Sequence, residues 1–193
     1  GEGTLSRDLI NTIFEIAPDL IKKIELILVE PNIGMRLRQQ ELMKSESDVK
    51  IRWLSLEQLI KAPVIGVVIA HEALDSFPVE RFVLRDANVF RQGVTLVEKE
   101  NKNFISFCDL PLTNEMRSFL SDSQSSIGIE LPPKGAFDGW CSEWHCDLSR
   151  WFEQISRAVI TGPLLVIDYA LEAKRYYNTN RSSGTLIAYH NQK

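Results

Sequence analysis

The chain has 193 residues, 44% of them hydrophobic and 25% charged, with a net charge of −4, enough for one globular domain with a hydrophobic core. The acidic balance argues against binding a nucleic-acid backbone, which needs a clustered basic surface, and no apolar stretch reaches the length of a membrane span or marks a signal peptide. The three cysteines, Cys108, Cys141 and Cys146, form no disulfide framework and suit a reducing compartment, with the cytoplasm as the default.

Along the chain, Thr4 is expected to cap a helix whose apolar face is Leu5, Leu9, Ile13 and Ile16, with Ile10 and Ala17 beside them, and Pro18 to stop it. Residues 24–30 read as a mostly buried strand ending in an acid, and Asn32 as the cap of a second helix reaching about Lys44. Residues 50–56 give a short strand, followed by a helical turn around Leu56–Ile60. Val64–Ala70 is an unbroken apolar, β-branched run, the pattern of a central strand covered on both faces. The order so far is that of an α/β layer with parallel strands.

Arg81–Arg85, Val89–Val97 and Phe104–Cys108 are short extended runs, predicting a small antiparallel insertion over about residues 80–109. A helix is expected from Thr113 to about Leu120, then a loop over Ser121–Ser126. Together, residues 80–126 form an inserted subregion of a single domain. Asp147–Ile160 carries a strong amphipathic pattern with Leu148, Trp151, Phe152, Ile155 and Val159 on one face. Gly162-Pro163 should end it, and Leu164–Asp168 should be a further buried strand. The first residue, Gly1, opens a glycine-rich turn with no strand before it, and His190–Lys193 finish no element, so the chain reads as part of a longer protein.

Three features carry chemistry. Gly1-Glu2-Gly3 before a helix allows close approach of backbone to a ligand, and the helix start presents free N–H groups. Ser6 stands where a dinucleotide fingerprint has its third glycine, and an ordinary tight turn accounts for the two glycines as well. Glu30, at the end of the next strand, is placed as an acid that accepts both hydroxyl protons of a ribose diol, or else as a solvated strand-end acid. His71, Glu72 and Asp75 directly follow the most apolar strand, where open α/β sheets bind ligands. The two carboxylates there suit a guanidinium, unless Asp75 caps a turn and Glu72 pairs with a neighbouring arginine. Cys141, Glu143, His145 and Cys146 cluster in sequence but lack the spaced pairs of a zinc site, so no metal is expected. The four tryptophans read as packing residues. The Lys174-Arg175-Tyr176-Tyr177 run, with Arg181, reads as a mobile surface segment.

These motifs, in this order, resemble the MidA-like S-adenosylmethionine (SAM)-dependent methyltransferases, which include a mitochondrial complex I assembly factor with protein-arginine methyltransferase activity. Gly1-Glu2-Gly3-Thr4-Leu5 is similar to the second half of that family's cofactor loop, and Val29-Glu30-Pro31 to its step after the second strand. Ala70–Val79 is similar to its most specific signature. Glu143, Asp168-Tyr169, Gly184-Thr185-Leu186 and Tyr189 follow its later order. His71 replaces the family's usual Asn, and Ala170 its usual Gly. The resemblance implies a Rossmann-like class I methyltransferase sheet whose first strand would precede Gly1, so the chain alone should bind SAM poorly. It implies Gly1, Gly3, Glu30 and His71 at the cofactor, with Ser55 and Leu56 near its adenine. Glu72, Asp75 and Glu143 would be the catalytic candidates, acting on an arginine of a protein substrate such as a respiratory complex I subunit or its homologue. A mitochondrial or plastid matrix is the alternative location. A catalytically silent assembly partner and a nucleotide-dependent oxidoreductase are the competing functions. The sequence leaves the oligomeric state open.

Overall fold

The computed structural model describes residues 1–46 and 48–187. They pack as two compact units, Gly1–Val68 with Trp151–Leu164, and Ile69–Arg150 with the chain from Leu165 onward. Tyr189 and the 190–193 tail lie outside the described residues.

In the first unit, α1 (Thr4–Ile16) starts at Gly3, not at a capping Thr4. Gly3 is left-handed (φ 99°) and no side chain caps the helix, because a turn this tight into the first N–H groups needs a residue without Cβ. Pro18 ends α1 as expected and also opens α2 (Pro18–Ile21), where its missing N–H costs nothing. Then come β1 (Glu25–Leu28), α3 (Ile33–Leu42), β2 (Lys50–Trp53) and α4 (Leu56–Lys61). Asn32 caps α3 by accepting from Met35 N at 3.0 Å, as the sequence predicts. Strands β1 and β2 are parallel in the register Glu25↔Lys50 to Leu28↔Trp53. Ile10, Ile21, Met43 and Val49 form the core here, with Leu26, Ile51 and Trp53 against it.

The Val64–Ala70 run is not one covered strand. It breaks at Gly66 into β3 (Val64–Ile65) and β4 (Val68–His71), with Ile65, Val67 and Ile69 exposed. The expected helix 147–160 likewise ends early: α6 is Leu148–Ala158, and Val159–Thr161 forms β9, parallel to β3. β-branched Val159 and Ile160 gain more from the ladder than from a last helical turn. A Cβ on Gly162 would run into the Gly66 carbonyl oxygen, so backbone meets backbone there and Pro163 resets the pairing. Beyond it, β10 (Leu164–Ile167) pairs with β4. Leu165, Val166 and Ile167 are exposed, so this strand is less buried than its composition predicts.

In the second unit, β5 (Glu80–Arg85), β6 (Asn88–Lys99), β7 (Lys102–Leu110) and β8 (Cys141–Trp144) form an antiparallel sheet in the order β7-β6-β5-β8. The insertion is therefore present, with longer strands than expected and a fourth strand the sequence reading did not contain. Helix α5 (Asn114–Ser126) has Thr113 as its cap, and absorbs the serines expected to form a loop. Ser121, Ser123 and Ser125 each donate to the carbonyl three residues back, so their hydroxyls are satisfied within the helix. Phe82, Met116, Leu131 and Trp140 form the core of this unit, with Phe119, Trp144 and Tyr177 packed on it. The tryptophans pack as expected. The 174–177 run does not lie loose: α7 (Ala173–Tyr176) leads Tyr176 and Tyr177 inward.

Candidate functional site

Three arrangements of polar side chains stand out, one in the first unit and two in the second. In the first unit, Glu30 follows β1 and its side chain is 14% exposed. Its Oε1 accepts from Asn32 N at 2.9 Å and its Oε2 from Gln39 Nε2 at 3.2 Å. A carboxylate offers about four acceptor positions, so two remain for a ligand. Gln39, only 4% exposed, also donates to the Gly1 carbonyl at 2.7 Å and accepts from Trp53 Nε1 at 2.9 Å. One buried amide thus ties the glycine turn, the strand-end acid and the end of β2 together, with every hydrogen-bonding group used. On α3, Arg36 shares its face and donates to Trp53 O at 3.0 Å. Sequence reading missed Gln39. Its signal is the spacing of Arg36, Gln39 and Met43, one helical face below Asn32.

Ser55 and Leu56 follow β2, as expected, but the Ser55 hydroxyl accepts from Gln58 N at 3.2 Å while Gln58 Oε1 accepts from Ser55 N at 2.8 Å. This capping box commits the hydroxyl to starting α4.

In the second unit, β4 ends at His71 and the chain turns sharply. Glu72 is left-handed (φ 45°), a strained conformation for a residue with a side chain. Its N–H donates to Ile167 O at 2.8 Å. Asp168 then takes over from the strand ladder. Its Oδ2 accepts from Ala73 N at 3.1 Å and Leu74 N at 2.8 Å, with Asp75 N at 3.4 Å, while Oδ1 accepts from Tyr169 N at 2.8 Å. Burial works to raise the Asp168 pKa, but the N–H groups of Leu74, Tyr169, Asp75 and Ala73 outweigh it and hold it below the ordinary aspartate range. His71, Glu72 and Asp75 are exposed. Among the described residues, the carboxylates of Glu72 and Asp75 make no hydrogen bond or ion pair, so neither the cap nor the arginine pairing that the sequence allowed for them is present.

Glu143, on β8, differs from these acids. It is 1% exposed. Its Oε2 accepts from Thr185 N at 2.8 Å, Thr185 Oγ1 at 3.2 Å and Tyr176 Oη at 3.3 Å, and its Oε1 lies 3.1 Å from Arg81 Nε, an ion pair without hydrogen-bond alignment. Arg81 spans the cluster, donating to Ser183 O at 2.8 Å and to Cys141 Sγ at 3.0 Å. Tyr177 Oη donates to Glu143 O at 3.0 Å. Burial raises the pKa of Tyr176 and of Tyr177, keeping both phenols as donors, and burial raises that of Cys141, keeping it a neutral thiol. Glu143 therefore gathers the segment 176–185 onto the sheet. Among the described residues, no three Cys, His, Asp or Glu side chains are grouped to hold a metal ion, and no helix is long and apolar enough to cross a membrane.

Glu30 thus follows a strand beside a glycine turn, on parallel strands β1 and β2 joined by a helix, in a mixed α/β fold. Over residues 1–193 the sequence matches the family described as "Putative S-adenosyl-L-methionine-dependent methyltransferase". The chain belongs to this family, the MidA-like one that its motifs resemble. Its fold is shared with a Burkholderia thailandensis protein whose crystal structure holds S-adenosyl-homocysteine: TM-score 0.73, 22% identity, covering 96% of this chain and 44% of that one. A native crystal structure of an uncharacterized protein of the same superfamily from that organism gives TM-score 0.72 and 22% identity, over 96% of this chain and 45% of that one. The chain spans less than half the length of these structures. No curated protein matches it.

Proposed function

We propose that this chain carries the cofactor and acceptor elements of a SAM-dependent methyltransferase whose acceptor is a protein arginine. The observation that carries the cofactor reading is Glu30, held by Asn32 and Gln39 with acceptor capacity left over beside the left-handed Gly3. That donor set fits a nucleoside: two free carboxylate positions for a cis-diol, and a glycine turn whose backbone a ligand can approach. The Burkholderia structure with S-adenosyl-homocysteine supports the choice of nucleoside. When bound, SAM supplies a methyl group on a sulfonium, so the protein's main contribution is positioning. Gln39 keeps Glu30 and the glycine turn in register. On the acceptor side, the exposed pair Glu72 and Asp75 suits a guanidinium, holding its positive charge and receiving the proton it must lose. Asp168 keeps their loop in place, and Glu143 serves as a positioning residue through Thr185 and Tyr176.

The test is calorimetry with SAM and S-adenosyl-homocysteine on the intact protein, followed by transfer of labelled methyl to cell-extract protein and analysis of the hydrolysate. Both ligands should bind, and Glu30→Ala should weaken both at least a hundredfold. Label should appear in methylarginine, and Glu72→Gln with Asp75→Asn should abolish transfer while leaving cofactor affinity unchanged. An intact protein that ignores both ligands refutes the enzyme reading. Label in another amino acid refutes the arginine.

A further inference from the structure

Of the Asp168-Tyr169 pair, Asp168 uses its carboxylate on backbone: Oδ2 accepts from Ala73, Leu74 and Asp75 N, and Oδ1 from Tyr169 N at 2.8 Å. Tyr169 therefore sits one carboxylate's width from the backbone that carries Glu72 and Asp75. Its strand arrives at the same place, since β10 lies beside β4 and Ile167 O accepts from Glu72 N at 2.8 Å. The backbone of Tyr169 is held, but its side chain is 84% exposed. Among the described residues its hydroxyl has no hydrogen bond and its ring no aromatic or cationic neighbour. A tyrosine more often buries its ring and keeps only the hydroxyl wet. Leu165, Val166 and Ile167 are exposed too, but they lie along strand faces, which a further layer of structure covers. Tyr169 lies past the strand end, where α/β sheets hold ligands.

The surroundings of Tyr169 are negative. Glu72 and Asp75 are exposed, and no cation among the described residues pairs with either. The face of an aromatic ring is negative as well, so it acts with the carboxylates in holding a cation. The two kinds of group differ in what they select. An exposed carboxylate pairs with an ammonium or a guanidinium alike. A ring face favours the guanidinium, which is planar, stacks flat and is more weakly hydrated than a compact ammonium.

We infer that Tyr169 is the specificity-determining residue of the acceptor site. Its ring is the platform on which the acceptor's guanidinium lies, while Glu72 and Asp75 hold the edge of the group. This rests on the arginine methyltransferase reading, and adds to it the side chain that turns a cation site into a guanidinium site.

The test gives the intact protein labelled SAM and limiting cell-extract protein, with N-acetyl-arginine amide or N-acetyl-lysine amide as competitor. The arginine compound should inhibit the wild type at about a fivefold lower concentration than the lysine compound. Tyr169→Leu should lose that preference and form about fivefold less methylarginine. The deficit should close as extract is raised, with S-adenosyl-homocysteine affinity unchanged by calorimetry. Tyr169→Phe, which keeps the ring, should restore both rate and preference. If the wild type makes methylarginine and Tyr169→Leu keeps its rate and preference, the inference is overturned and the arginine reading stands. A loss of S-adenosyl-homocysteine affinity in Tyr169→Leu overturns it by placing the ring at the cofactor. No methylarginine from the wild type overturns both. Should Tyr169→Leu fail to fold, NMR on the wild type decides: the Tyr169 ring signals should shift with the arginine amide and less with the lysine amide at equal concentration, and equal shifts or none overturn the inference.

Discussion

Gly184 is the position where a single methyl group should do most damage. Its φ is +75°, and a Cβ there would run into Oε1 and Cδ of Glu143. Alanine in a left-handed conformation costs about 1–2 kcal/mol by itself. The larger effect is indirect. The Glu143 carboxylate must move off its donors Thr185 and Tyr176 and off its ion-pair partner Arg81, and breaking a buried ion pair costs about 3–5 kcal/mol. Gly184→Ala should therefore lose about 4–7 kcal/mol, a large part of a domain's usual 5–15 kcal/mol. In a Glu143→Ala background the clash is gone, and the same substitution should cost only the backbone share of about 1–2 kcal/mol. The measurement is a double-mutant cycle from urea unfolding of the intact protein, with an expected coupling of about 3–5 kcal/mol. Additive losses, or a Gly184→Ala cost confined to the backbone share in the wild-type background, would refute the assignment of Glu143 as the anchor of the 176–185 segment.

Three further outcomes are expected. Gln39→Leu keeps the volume but strips hydrogen bonds from Trp53 Nε1, Glu30 and the Gly1 carbonyl. It should cost about 1–3 kcal/mol in stability and about tenfold in S-adenosyl-homocysteine affinity, the equivalent of about 1.4 kcal/mol; unchanged affinity by calorimetry would reduce Gln39 to a packing residue. Asp168 has a folded-state pKa below its ordinary 3.8, so its clamp is present in full above that value and lost as the pH falls below it through the folded value. Amide shifts of Leu74 and Tyr169 followed by NMR should titrate together in that acid window, and Asp168→Asn should speed hydrogen exchange at residues 73–75 at neutral pH. Ser123 Oγ accepts from the buried Leu131 N at 3.1 Å, so Ser123→Ala should cost about 1–3 kcal/mol by leaving that N–H unpaired. A loss under a few tenths of a kcal/mol in thermal unfolding would mean that another group serves it.

The sequence by itself determined what depends on local pattern. Asn32 shows as a cap because a short polar side chain before an apolar period has one favourable use. The insertion shows in its alternating runs, and the family in the order of its motifs. The positions of Glu30 and of the Glu72–Asp75 loop, just past β1 and β4, are legible from the apolar runs that precede them. Only the tertiary structure decided the rest. Val64–Ala70 breaks because Gly66 meets Gly162, nearly a hundred residues away, and no local signal encodes a backbone collision. Val159 and Ile160 leave their helix because a parallel partner, β3, is there to take them. Glu72, Asp75 and Glu143 are the same kind of residue in the sequence. Glu143 is distinguished by four groups from Arg81, Tyr176 and Thr185 that converge on its carboxylate, whereas Glu72 and Asp75 face solvent on a loop pinned by Asp168. Burial and long-range hydrogen bonds are properties of the folded chain, and they decide whether a carboxylate is fixed in the interior or left free to meet a ligand.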